Sequence, residues 1–125
     1  LAFVAQHNHL TEAEVIRIHS ERTYPVYMMG FTPGFPYLGG LDPAIATPRL
    51  KEPRLLIRAG SVGIANKQTG VYPQATPGGW QLIGWTPLKL FDITKASPCL
   101  IGPGNLVRFV PISIEEAERV TAAGH

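Results

Sequence analysis

Glycine and proline are concentrated in the centre of this chain, and they limit what it can fold into. The 125 residues include 13 Gly and 12 Pro, well above the roughly 12% that these two residues usually make up in proteins. All but Gly124 lie between residues 23 and 112. Proline breaks helices there, and glycine permits turns that are closed to other residues. The centre is therefore predicted to be built from short strands and turns rather than helices.

Short runs of β-forming residues lie between these turn signals. Many short strands with frequent turns are typical of a mainly β sandwich or barrel. A closed barrel has the advantage that it leaves no exposed strand edge. The predicted strands span residues 24–29, 55–58, 61–65, 70–72, 80–85 and 106–111.

One helix is predicted near each end of the chain, and together they can cover the ends of a barrel. Thr11 and Glu14 have the spacing of a capping box, and Ser113 and Glu116 repeat it. His19 lies on the apolar face of the first helix, where a core position is expected more than a role as a base. The predicted helices span residues 11–22 and 114–123.

Size and composition favour a single globular domain over residues 1–125. Apolar residues make up 45% of the chain, which argues against disorder. No apolar stretch reaches the roughly 20 residues of a membrane helix, and no signal peptide is recognisable. Cys99 is the only cysteine, so an internal disulfide is excluded and a cytoplasmic location is expected. The start at Leu1 is interpreted as that of a fragment of a longer protein.

Charge is distributed unevenly along the chain, although the net charge is only +2. Residues 23–112 hold eight Lys or Arg against Asp42, Glu52 and Asp92, a balance of +5. This region can attract an anion or an acidic protein surface, and a solvated basic face explains it equally well. Nucleic acid is not expected as a partner, because the chain has no dense basic stripe and no recognition helix.

The usual catalytic patterns are absent from the sequence. Residues 60–63 lack the spacing of a nucleophile elbow, and residues 60–69 lack the order of a phosphate-binding loop. His7 and His9 have no second ligand pair, so no metal site is predicted. Cys99 is expected to be buried rather than nucleophilic. No catalytic residue can be assigned from these patterns.

Three Gly/Pro-framed segments and two Pro-Arg pairs carry the candidate binding residues. Aromatic side chains on stiff loops lose little entropy on binding, and an Arg after Pro can clamp a carboxylate. Each has a structural alternative: Phe31 and Phe35 can plug a barrel end, and Trp80 can be core. Likewise, residues 66–69 can be a solvated hairpin tip and the arginines can form surface salt bridges. The candidate groove comprises Phe31, Pro33, Phe35, Tyr37, Arg49, Arg54, Lys67, Gln68, Thr69, Tyr72, Trp80 and Trp85.

These segments resemble one known family over most of the chain. GFTPGFPYLGGLD, PRLKEPR, AGSVGIANKQTGVYPQATPGGWQLIGWTP, LFD and PGNLVRFVPI follow in the same order as in the KipI family. That family is also known as the B subunit of 5-oxoprolinase or as allophanate hydrolase subunit 1. The resemblance runs from about residue 19 to residue 112 and implies a cyclophilin-like β-barrel, the C-terminal domain of such a protein. Prolyl isomerisation is not predicted, because the catalytic set of cyclophilins is not recognisable.

The resemblance also implies partners. The C subunit, which is KipA-like, would complete an ATP-dependent 5-oxoprolinase together with the A subunit. That enzyme opens the lactam of 5-oxoproline to give glutamate. ATP is implied for the assembly, and no cofactor is expected in this domain itself. Some members of the family inhibit a sporulation histidine kinase, so a kinase dimerisation domain is a second expected partner.

Four functions remain open at this point. The domain can be one part of a composite 5-oxoprolinase site, or an inhibitor whose aromatic groove holds a proline-containing kinase segment. It can also be a scaffold that only docks the C subunit, or part of a carboxyltransferase in a urea carboxylase-like system. The first two functions can share one surface.

Overall fold

The computed structural model describes residues 1–30, 35–88, 90, 101–102 and 104–122. The predicted mainly β fold with a helix near each end is confirmed. The helices are α1 (Ala2–His7), α2 (Glu12–Glu21) and α3 (Ile114–Ala122), with a 3-10 turn at Pro43–Ile45. The strands are β1 (Thr23–Met29), β2 (Pro36–Leu38), β3 (Arg54–Ile57), β4 (Ser61–Ala65), β5 (Gln68–Val71), β6 (Thr76–Gly78), β7 (Gln81–Trp85) and β8 (Leu106–Arg108).

The strands form two antiparallel sheets. The larger has six strands in the order β7-β4-β5-β2-β1-β8, and β3 pairs with β6 in a separate ribbon. The large sheet curls, since Ile83 on β7 and Phe109 just after β8 pack against the same buried clusters. In the described part of the chain, no strand pairing joins these two edges into a closed ring.

The large sheet is covered on both faces. All five residues of its inner strand β4 are buried, which indicates packing above and below. On one face Ile64 joins the main core, and on the other Ala65 joins an aromatic second core. The main core consists of Val4, Ala5, Val15, Tyr24, Val26, Leu38, Leu41, Ile45 and Ile64. The second core consists of Phe35, Ile57, Ala65, Tyr72 and Trp80.

Helix α2 confirms the predicted capping box. The Thr11 hydroxyl accepts from the backbone N–H of Glu14, whose carboxylate accepts from the N–H of Thr11. This satisfies two donors that the helix start leaves without partners. Val15 and His19 bury the inner face of α2 in the main core.

The ends of the chain differ from the sequence prediction in two respects. Helix α1 was not predicted, and it contains His7. Its six residues carry no side-chain cap, so the sequence shows no start signal. Helix α3 covers little of the barrel, because its described side chains are exposed or half-buried and Ile114 is 80% exposed. None of the helices among the described residues is long and apolar enough to cross a bilayer.

Four of the predicted strands agree with the structure to within two residues at either end, and 61–65 agrees fully. Strand β8 ends at Arg108 instead of residue 111, and strands β2 and β6 were not predicted. Each of these two has only three residues and contains a proline. Proline is depleted from strands because it cannot donate to the ladder, so propensity argued against both.

Two paired glycines let the second core lie against the sheet. Gly63 on β4 and Gly70 on β5 are cross-strand partners. A Cβ on Gly63 would lie 3.1 Å from the Cβ of Trp80. A Cβ on Gly70 would lie 2.9 Å from the backbone oxygen of Pro36 and 3.2 Å from the Trp80 ring. The indole therefore packs on a surface that side chains would block.

We expect Gly70→Ala to lower the free energy of unfolding by about 1–3 kcal/mol, since the added methyl overpacks the second core. Urea denaturation measures this loss of stability as a lower midpoint with an unchanged m value. Gly84→Ala is the matched control on β7, because its nearest neighbour would be 4.0 Å away at Val62. Equal stability of the two variants would contradict this packing.

Candidate functional site

The structure gathers four of the predicted site residues into one aromatic cluster: Phe35, Tyr37, Tyr72 and Trp80. The Phe35 ring lies 4.9 Å from Tyr37, 5.1 Å from Tyr72 and 5.4 Å from Trp80. The last two contacts are edge-to-face, a favourable arrangement for aromatic pairs. Phe35, Tyr72 and Trp80 are buried, while Tyr37 is half-buried. Tyr37 is thus the ring through which the cluster reaches solvent.

Arg49 lies over this cluster and is held there by backbone contacts. Its guanidinium carbon is 5.9 Å from the centre of the Trp80 ring, within the range of a cation–π contact. The flanking chain is fixed because Gln81 donates to the Pro48 carbonyl and the Leu50 N–H donates to the Gly79 carbonyl. The side chain of Arg49 itself is exposed.

Arg54 begins strand β3, where it pairs with Gly78 on β6. A Cβ on Gly78 would lie 2.5 Å from the Tyr72 hydroxyl, so the ribbon runs directly against the aromatic cluster. Neither Arg49 nor Arg54 forms an ion pair with a described residue. Their charges are therefore available to an anionic group, and the salt-bridge alternative finds no partner in this part of the chain.

A polar rim borders the aromatic cluster, made of Tyr27, Tyr37 and Gln68. The Gln68 side-chain amide donates to the hydroxyl of Tyr27. The rings of Tyr27 and Tyr37 lie 6.5 Å apart. Tyr27 is 50% exposed and the other two are half-buried. This rim presents phenol and amide groups to solvent beside an apolar surface.

The hairpin tip between β4 and β5 is smaller than predicted. Only Asn66 and Lys67 lie between the paired residues Ala65 and Gln68. Asn66 adopts a left-handed backbone with φ of 55°, as such tight turns require. Lys67 is exposed at this tip, next to Gln68 of the rim.

Thr69 does not belong to the accessible groove. It is fully buried on the opposite face of β5, because successive strand residues point to opposite sides. Its hydroxyl donates to the Gly63 carbonyl, and the oxygen lies 2.9 Å from Nε2 of His19. Thr69 therefore ties helix α2 to the sheet and cannot reach a ligand at the hairpin tip.

His19 is a neutral core residue, as the sequence favoured. Burial lowers the pKa of His19 to about 4. Since the Thr69 hydroxyl proton is used by Gly63, the Thr69 oxygen accepts from an Nε2–H of the imidazole. The ring packs 4.5 Å from Phe109 and 5.4 Å from Tyr24.

Trp85 lies away from the aromatic cluster. Its indole N–H donates to the Ala59 carbonyl at 2.8 Å, and the Arg58 guanidinium stacks 3.8 Å from the ring centre. Trp85 lines a mostly apolar cavity of about 590 Å³, together with Val62, Ile83 and residues around β8. Of the predicted groove residues, it is the one found among the described cavity walls.

Phe31 and Pro33 fall outside the described residues, as does Cys99. Tyr27 belongs to the polar rim but was not among the predicted groove residues. It lies in a predicted strand, directly after the buried Val26 of β1. Alternation places it on the face of β1 opposite to Tyr24 and Val26, and the pairing of Val26 with Leu38 makes this the face that carries Tyr37.

Among the residues that the structure describes, the candidate site contains no complete catalytic set. It offers an amide, two phenols and two guanidinium groups beside buried rings. Burial raises the pKa of Tyr72, against the opposing effect of a hydrogen bond from the Trp80 backbone, so this phenol stays protonated at neutral pH. Among the described residues, no group of three or more His, Cys, Asp or Glu could hold a metal ion. The amide, phenol and guanidinium groups of the site suit recognition of an amide or a carboxylate.

Comparison with known proteins places this chain in a family. The carboxyltransferase domain, subdomains C and D, matches residues 1–101. A crystal structure of a conserved uncharacterized protein from Pyrococcus horikoshii superposes with a TM-score of 0.89 at 56% identity, covering 92% of this chain and 53% of that one. Kluyveromyces lactis urea carboxylase gives a TM-score of 0.78 at 27% identity, covering 97% of this chain and 12% of that one.

The chain belongs to the family of carboxyltransferase domains, subdomains C and D. Within it, the B subunit of 5-oxoprolinase from Escherichia coli O157:H7 is 60% identical over 111 residues, which cover 89% of this chain and 51% of the relative. The resemblance to the family of KipI and the 5-oxoprolinase B subunit is thereby confirmed. The chain spans about half the length of the curated relatives it matches.

Proposed function

We propose that this chain acts as part of the B subunit of an ATP-dependent 5-oxoprolinase, where it supplies one side of a composite substrate site. The observation that carries the proposal is the 60% identity to a 5-oxoprolinase B subunit over 89% of the chain. The matched stretch covers most of the chain. The described residues offer binding groups but no complete catalytic set, as expected for one side of a shared site.

The geometry supports the same substrate class. 5-Oxoproline is a small lactam with one carbonyl, one N–H and one carboxylate. The polar rim of Tyr27, Tyr37 and Gln68 offers donors and acceptors for the lactam. Arg49 and Arg54 offer charge for the carboxylate, and the aromatic cluster offers an apolar surface for the ring.

A partner is needed because the described face has no nucleophile positioned beside these groups. In the proposal, the site is completed by the KipA-like C subunit. The A subunit supplies the ATP-dependent chemistry, so ATP is bound by the assembly rather than by this domain.

The proposal is tested by 5-oxoproline-dependent ATP hydrolysis of a complete B subunit that carries this chain, assembled with the A and C subunits. We expect Gln68→Leu to reduce kcat/KM about tenfold, as expected for loss of a hydrogen bond made to the substrate in the transition state. Gln74→Leu is the matched control, since Gln74 is an exposed glutamine that takes no part in the contacts among Tyr27, Tyr37 and Gln68. Full activity of Gln68→Leu in the assembled enzyme would contradict the assignment of this rim.

Three other functions stay as predictions: inhibition of a histidine kinase, a scaffold that only docks the C subunit, and a carboxyltransferase role. Inhibition of a histidine kinase would depend on Tyr27 and Tyr37, because the other rings of the face are buried. A carboxyltransferase role is favoured by the likeness to urea carboxylase over 97% of this chain. A direct binding assay with a kinase dimerisation domain, and a urea-dependent ATP hydrolysis assay, separate these from 5-oxoprolinase activity.

A further inference from the structure

Strand β3 exposes two neighbouring leucines. Leu55 is 92% exposed and Leu56 is 69% exposed. In a regular strand, neighbouring side chains point to opposite faces, so one of the two would face the protein. A β-bulge explains why both side chains are exposed. Arg54 pairs with Gly78 and Ile57 pairs with Thr76, so β3 has one more residue than β6 between these two pairs.

The bulge is anchored rather than frayed. Ile57, the next residue, is 1% exposed and packs in the second core. At the other side of the bulge, Arg54 is held by its pairing with Gly78. Bulges of this kind re-aim side chains next to functional sites. The two leucines therefore project from a fixed backbone, which reduces the entropy lost on binding.

Positive charge surrounds the two leucines in the sequence. Residues 49–58 contain Arg49, Lys51, Arg54 and Arg58 against the single acid Glu52. Lys51, Arg54 and Arg58 are exposed, and Arg58 is held against the Trp85 ring. A surface that fits this segment needs an apolar cleft with carboxylates around it.

We infer that the β3 bulge is a docking surface for a partner protein with an apolar cleft rimmed by acidic residues. Leu55 and Leu56 insert in the cleft, and the exposed cations Lys51 and Arg58 pair with its rim. The inference rests on the proposed function, in which that partner is the C subunit. The ribbon also contacts the second core through Ile57, so a partner bound here lies beside Arg54 and the aromatic cluster. Docking and completion of the substrate site then occur together.

The inference is tested by measuring how tightly a complete B subunit that carries this chain binds the C subunit, with Kd taken from biolayer interferometry. We expect the double variant Leu55→Asp with Leu56→Asp to raise Kd about 30-fold, because it would place two unpaired carboxylates in an apolar cleft. Leu106→Asp is the matched control, since Leu106 is 71% exposed on β8, at the far edge of the large sheet. It should change Kd by less than about threefold.

Charge is tested separately with Lys51→Glu, which should lower the association rate constant severalfold and make it less dependent on salt. An unchanged association rate constant would contradict an acidic rim around the partner's cleft. Equal Kd values for wild type, the double leucine variant and Leu106→Asp would overturn the docking surface while leaving the proposed function intact. Failure of the wild-type protein to bind the C subunit would overturn both.

Discussion

Replacing Trp80 by alanine is expected to lower the free energy of unfolding by about 3–5 kcal/mol. Trp80 is only 5% exposed and lies against Gly63 and Gly70, with Phe35 and Tyr72 at its edges. Removing the indole leaves a cavity that the stiff sheet beneath it cannot fill. Urea denaturation measures the change as a shift of the midpoint at constant slope.

Trp85→Ala is the natural comparison, because it removes the same side chain from a half-buried position. It loses one hydrogen bond to Ala59 and one stacking contact with Arg58, together worth about 1–2 kcal/mol. A larger loss for Trp85→Ala than for Trp80→Ala would contradict the placement of Trp80 in the second core.

Acid is expected to destabilise the fold through His19 by on the order of 3 kcal/mol. Burial lowers the pKa of His19 from 6.5 to about 4. Between these two values the unfolded chain binds a proton at this residue and the folded chain does not. The free energy of unfolding therefore has its full value above about pH 6.5 and falls as the pH drops towards 4. Below that, both states are protonated and this contribution levels off.

The measurement is the urea-derived free energy of unfolding across this pH range. We expect His19→Gln to make the free energy of unfolding less dependent on pH, because glutamine keeps a polar group near Thr69 but does not titrate. His7→Gln is the control, since His7 is exposed on α1, and it should keep the wild-type dependence on pH. Wild-type stability that is constant between pH 6.5 and 4 would contradict a neutral, buried His19.

The elements that sequence patterns predicted well are those whose local signals agree with their packing. Residues 61–65 form β4 as predicted, since Val62, Ile64 and Ala65 are strand-compatible and buried. Helix α2 begins at its capping box. Helix α1 and strands β2 and β6 depend instead on contacts with distant residues. Val4 and Ala5, for example, stabilise α1 only through burial in the main core.

Local sequence signals also indicated part of the candidate site. Phe35, Tyr37, Tyr72 and Trp80 come from three separate segments, and their Gly and Pro frames marked each segment as unusual. Thr69 was misplaced because its position in β5, rather than in the turn, decides which face it occupies. The exposed pair Leu55 and Leu56 looked like an ordinary strand, since the bulge that turns them outward is visible only in the pairing with β6.

The measurement that tests the proposed function most directly is 5-oxoproline-dependent ATP hydrolysis by the A and C subunits, with and without the B subunit that carries this chain. We expect hydrolysis only when all three proteins are present. It should fall about tenfold with Gln68→Leu and persist with Gln74→Leu. Hydrolysis by the A and C subunits without it, or none from the complete set, would contradict a role for this chain in a shared 5-oxoprolinase site.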